Sequence, residues 1–105
     1  MTLTSEIASL LLLAAAAWFW QQALRSKEVA RAAGKNACDR AGVQFLDDTV
    51  ELTQLRWRRD AGGALRIYRH YRFEFAADGS HRWRGEVMLL GGKVLSVDLE
   101  PYRLH

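Results

Sequence analysis

The sequence predicts an α+β protein: one N-terminal transmembrane helix continuing into a cytoplasmic helix that packs on a four-stranded antiparallel β-meander. Three observations lead there. Residues 7–20 (IASLLLLAAAAWFW) form an apolar block that closes on three aromatics. Residues 26–41 contain no proline and carry basic side chains at helical spacing. After Gly42 the pattern changes to alternation, punctuated by turn residues at 60–63, at Asp78 and Gly79, and at Gly91 and Gly92. The boundaries that follow are an anchor over 1–24, a basic juxtamembrane helix over 25–42 and an antiparallel β domain over 43–105.

The uninterrupted apolar block covers about 21 Å as a helix, less than the ~30 Å hydrocarbon core of a bilayer. Extending it over residues 3–24, with Thr4, Ser5 and Glu6 at one interface and Gln21 and Gln22 at the other, gives about 33 Å and spans. No lysine or arginine precedes the block, whereas Arg25, Lys27, Arg31 and Lys35 follow it. Tryptophan settles at headgroup depth and basic residues resist translocation, so the expected topology leaves the N-terminus outside and the C-terminal domain in the cytoplasm. A cleaved secretory signal is the competing reading, with alanines 14–17 able to supply a cleavage site. The missing basic start, the bulky aromatics directly after the alanines and the basic residues beyond them favour a retained anchor. A buried core helix is disfavoured because the block has no polar face.

The net charge of +3 invites a nucleic-acid reading until the charges are placed along the chain. Residues 25–40 carry five Lys/Arg against Glu28 and Asp39, whereas residues 41–105 carry ten against nine acids. The excess therefore sits beside the membrane, where each basic residue near anionic lipid contributes roughly 1 kcal/mol. Cys38 is the single cysteine, which rules out an intrachain disulfide and a thiolate-built metal site. A body of about 65 residues is near the lower limit for an independent core.

In the stem, Lys27, Arg31, Lys35 and Asp39 share one stripe, and Ala30, Gly34, Ala37 and Ala41 share another that is smooth enough for close packing. Cys38 lies beside that seam and reads as a small buried hydrophobe. Gly42 is placed to end the helix in a left-handed conformation. In the sheet, odd positions collect Leu65, Ile67, Tyr71, Phe73 and Phe75, then Trp83, Val87 and Leu89, then Leu95, Val97 and Leu99. Even positions collect polar residues, so one face is wet and one is covered. The first strand breaks parity between Leu52 and Leu55, which predicts a bulge near Thr53 and Gln54 that keeps Val50, Leu52, Leu55 and Trp57 inward. Arg69 is the exception on the apolar face. It either lies beyond the edge of the covering helix or pairs with Asp47 or Asp48. The small-residue seam of the stem is the candidate cover, with a partner protein as the alternative.

The run Gln44, Phe45, Leu46, Asp47, Asp48, Thr49, Val50, followed by Arg69 to Phe75 (RHYRFEF), Gly79, Arg82 and Gly85, resembles the family catalogued as domain of unknown function 3301. The resemblance extends from the aromatic end of the anchor and Glu28 to Leu99. Phe45 stands where the pattern has leucine, a conservative departure. What the resemblance implies is a small proteobacterial inner-membrane protein with one amino-terminal span and no assigned activity, cofactor or catalytic residue.

Two constellations are candidates for function. Asp47, Asp48 and Glu51, with Thr49 among them, form an acidic cluster that is able to bind a divalent ion or serve as acid and base. Its spacing is unspecific, and aspartates at the start of a strand commonly bond local backbone. His70 has no second histidine or cysteine at ligand spacing. The sharper candidate is the basic face of Arg56, Arg58, Arg66, Tyr68, His70, Arg72, Arg82 and Arg84. Such a face can contact an acidic protein or anionic lipid. Glu74 and Glu86 lie on it, so cross-strand pairing of Glu74 with Arg82 or Arg84, and of Arg72 with Arg84 or Glu86, is the competing reading. Nucleic acid is disfavoured, because the body carries only a small excess charge and no binding signature. The expectation is a non-enzymatic, membrane-anchored interaction module without cofactor or metal, with the bilayer and a protein as partners. The alternatives are a small acidic-site enzyme or metal-binding domain and an anionic-lipid binder.

Overall fold

In the computed structural model, which describes residues 2–77 and 81–100, a single helix α1 (Leu3–Ala41) leads into strands β1 (Gln44–Arg59), β2 (Leu65–Ala76), β3 (Arg82–Leu90) and β4 (Lys93–Leu99). The sheet is an antiparallel meander in the order β1-β2-β3-β4. The expected turn at Asp78 and Gly79 lies outside the described residues.

The helix is continuous through the expected junction at residue 24, because nothing in its 39 residues removes a backbone donor. Thr2 caps its start by accepting the Ser5 amide, and Gly42, at φ 74°, ends it with amide bonds to the last carbonyls. Its two halves differ in surroundings. Leu3, Leu10 to Leu13, Trp18 and Trp20 are exposed, and none of its apolar window is buried. Ser26, Ala30, Gly34 and Cys38 are buried against the sheet. The seam is therefore one step away from the expected stripe: Ala37 is half-buried and Ala41 exposed, while Cys38 lies in the seam itself. The reason is steric. An i, i+4 row centred on Gly34 lets the helix axis approach until a Cβ there would lie 2.9 Å from Phe45 and 3.1 Å from Phe73.

The core under that row is Tyr71, Phe73, Phe75, Val87 and Leu89, with Val50 from β1. Phe73 meets Phe45 edge-on at 5.1 Å and lies flat over Gly85, where a Cβ would be 2.2 Å from its ring. The glycine is what lets that ring lie down across β3. Burial pushes the Cys38 thiol up to about 11, with the Asp39 carboxylate adding to the effect, which makes it a packing group and a poor nucleophile.

Register follows the alternation, with three irregularities. Thr53 is the extra residue of the expected bulge, and its hydroxyl donates to the His70 carbonyl at 3.0 Å. A second, larger excursion between Leu46 and Glu51 was not read from the sequence. It places Asp47 and Asp48 inside β1 rather than in a loop before it. Thr49 holds it together by donating to the Leu46 carbonyl at 2.6 Å and accepting the Glu74 amide at 2.8 Å. A third shift, in β4, pairs Val94 with Leu89 and turns Leu95 out to solvent, against the expectation that Leu95 faces the core. At the β1–β2 turn, Asp60 accepts the Gly62 and Ala64 amides as well as Arg66 Nε. That Arg66 bond, with the two amides, holds the Asp60 carboxyl below the usual carboxylate range.

Arg69 fits neither expected alternative. It lies under the helix, 3% exposed, with Nη1 donating to Ser26 Oγ at 2.8 Å and its guanidinium 5.9 Å from the Phe19 ring centroid. No carboxylate among the described residues pairs with it, and Nη2 has no hydrogen-bond partner. Neighbouring Tyr71 is buried, which raises its phenol, and Arg69 pulls the other way.

Candidate functional site

The polar face of the sheet carries the predicted basic residues together, because β2, β3 and the part of β1 beyond the Thr53 bulge present their even positions to the side away from α1. Arg56 and Arg58 bracket Tyr68, their guanidiniums 5.2 and 5.3 Å from its ring centroid. Tyr68 is consequently 7% exposed although it lies on the polar face. Arg66 is held by Asp60 at 3.1 Å and Arg82 by Glu74 at 3.1 Å. His70 Nε2 lies 3.5 Å from Glu86, an ion pair whenever the imidazole is protonated. In register Glu74 faces Arg84, and Arg72 faces Glu86 on one side and Glu51 on the other. Much of the face is thus a lattice of cross-strand charges, as the competing reading expects. Arg72 and Arg84 are the two of its arginines that form neither an ion pair nor a ring contact among the described residues.

The acidic cluster adjoins those two. Asp48, Glu51, Arg72, Glu74 and Arg84 line one open groove of about 320 Å³, into which Asp47 does not reach. Asp47, Asp48 and Glu51 are exposed, and among the described residues no three His, Cys, Asp or Glu side chains are grouped to hold a metal ion. Chemically the groove offers alternating donors and acceptors at the surface, which suits a partner of mixed charge better than a single small anion.

Besides the excursion between Leu46 and Glu51, two features escaped the sequence reading. One is the Arg69–Ser26 bond, whose signal was present: a charge at an odd position of β2 and a hydroxyl one turn before Ala30. The other is that Leu52, Leu55, Trp57 and Leu65 face the helix side yet remain exposed, Leu52 and Leu55 on the edge strand β1 beside the buried Tyr71 and Arg69 with which they pair, Trp57 and Leu65 at the hairpin tip.

The fold and this face define a small α+β domain carried on a long helix whose first half is a candidate membrane span. Within that class the chain belongs to the family described as Protein of unknown function (DUF3301), whose family model matches residues 6–101. No curated protein and no solved structure matches it.

Proposed function

We propose that this protein is a non-catalytic interaction module held at the cytoplasmic face of a bacterial inner membrane by one span, with its N-terminus outside. One observation carries the reading: the helix that is long and apolar enough to span is continuous with the helix that covers the sheet. A tether without a flexible joint holds the sheet at fixed height and orientation, which favours recruiting or bracing a partner over capturing a diffusing substrate. The basic flank Arg25, Lys27, Arg31, Lys35 and Arg40 supports the cytoplasmic side. The contact surface is the groove that Arg72 and Arg84, without an ion-pair partner among the described residues, line together with Asp48 and Glu51.

Protease tests the topology. In intact spheroplasts the sheet domain survives, and in inverted membrane vesicles it is removed; digestion in spheroplasts overturns the orientation. A photocrosslinker at position 48 in native membranes tests the surface. The protein it captures is lost in the R72E/R84E variant, and unchanged capture overturns this groove as the contact.

A further inference from the structure

We infer that the uncovered end of the sheet is a second membrane contact: the tip of the β1–β2 hairpin lies in the phospholipid headgroup layer beside the end of the span. This rests on the anchor reading proposed above and adds to it where the domain lies and which residues touch lipid.

The argument begins with height. From Leu3 to Gln22 the helix rises about 30 Å, the thickness of the hydrocarbon core, so Trp18 to Gln22 lie at its edge. The same residues form one wall of a groove of about 370 Å³ whose other wall is the hairpin: Trp18, Phe19 and Gln22 face Trp57, Leu65 and Arg66. Because α1 has no joint between span and sheet, whatever depth the anchor takes is imposed on the tip.

Composition agrees with that depth. Leu55, Trp57 and Leu65 are exposed, Trp57 by 65% and Leu65 by 55%, in a patch continuous with the aromatic end of the anchor. Residues 55–67 also carry four arginines, Arg56, Arg58 and Arg66 on the opposite face of the hairpin and Arg59 bonded to the Gly63 carbonyl at its turn, against the single acid Asp60. A hairpin tip with one apolar face joined to an aromatic belt and arginines on its other face and turn matches the boundary between acyl chains and phosphates. Neither water nor an acidic protein surface matches both halves of that pattern.

Arg69 supplies an independent observation. It lines the same groove, is almost fully buried, and among the described residues has no counter-ion. A buried cation without a carboxylate is costly in a domain surrounded by water. Four residues beyond Gln22, its partner Ser26 stands about 6 Å further along the helix, at the level of the phosphates, and their negative field offsets part of that cost. The occupant of the face is therefore the bilayer that holds the anchor.

The full chain in nanodiscs tests this, with Cys38 replaced by alanine and a single environment-sensitive fluorophore on W57C, R82C or L10C. R82C reports the exposed end of the sheet far from the tip. Nanodiscs of phosphatidylcholine alone and with phosphatidylglycerol carry lipids bearing a nitroxide near the headgroup or deep in the chain. The label at position 57 is expected to shift to the blue and lose intensity with the shallow nitroxide, the label at 82 to do neither, and the label at 10 to lose intensity with the deep one. Loss at 10 with none at 57 overturns this inference and leaves the anchor standing, whereas no loss at 10 overturns the anchor itself. Disulfide-linked dimers of W57C without quenching assign the face to a second copy and also overturn it.

Discussion

Two parts of the sheet's helix-facing side, the one beneath the helix and the one along β1 and its hairpin, are built from the same kind of residue and meet opposite fates. In the sealed part Phe73, Phe75, Val87 and Leu89 lie beneath Ala30, Gly34 and Cys38. Along β1 and at its hairpin tip Leu52, Leu55, Trp57 and Leu65 continue the same alternation and stay exposed, although Leu52 lies in one cross-strand row with Tyr71 and Val87, and Leu55 in one with Arg69 and Leu89. Alternation assigns a side chain to a face, and a covering element decides whether that face is dry. Here the cover is a helix whose row of buried small residues begins only at Ser26. The part of it nearest the hairpin carries Trp18 and Phe19, which leave an open groove where the seam leaves none.

The largest expected effect comes from emptying the sealed part. Phe73→Ala should cost about 4 kcal/mol of sheet stability, measured by guanidinium titration in detergent and followed through the β-sheet circular dichroism signal. Gly85→Ala attacks the same contact from below by placing a methyl within 2.2 Å of the Phe73 ring. It should cost about 2–3 kcal/mol in the same titration, since the ring lies between β3 and the helix and has little room to retreat. A cost near zero for either would show that the sealed part is looser than its burial implies.

Alkali probes the seam more gently. The Cys38 thiol titrates near 11 in the folded protein and at an ordinary 9.0 when unfolded. Below pH 9 both states hold the proton and the contribution is complete. Between 9 and 11 the unfolded chain releases it and the fold does not, so stability falls, on the order of 2 kcal/mol across the interval. Cys38→Ala should flatten that limb, and the remainder should respond to Tyr71→Phe. An unchanged slope in C38A would mean that the thiol is not sealed.

The smallest effect belongs to the bare part. Trp57→Ala and Leu65→Ala should each change stability in detergent by no more than about 0.5 kcal/mol, despite removing large apolar side chains. A cost comparable to that of Phe73→Ala would place both residues in the core and erase the distinction between the two parts.

Much of the sheet was legible because the signals are local. Period-two alternation named the faces, Gly42, residues 60–63 and Gly91 named the turns, and the parity break between Leu52 and Leu55 located the Thr53 bulge. The lattice on the basic face was legible for the same reason, since strand register follows once the turns are known. The excursion at 47–50 was hidden because a threonine hydroxyl stands in for backbone there, and nothing in the composition marks Thr49 for that role.

By itself the sequence determined the order of elements, the division of the chain into an apolar, a basic and an alternating stretch, and the face to which most strand residues belong. These depend on the geometry of neighbouring residues along one chain. Only the tertiary structure decided which helix row forms the seam, that Arg69 is met by Ser26 and Phe19 instead of a carboxylate, and that half of the apolar face is left open. Each of those is set by where one rigid helix comes to rest on one twisted sheet, and close packing around Gly34, Gly85 and Phe73 selects that resting place.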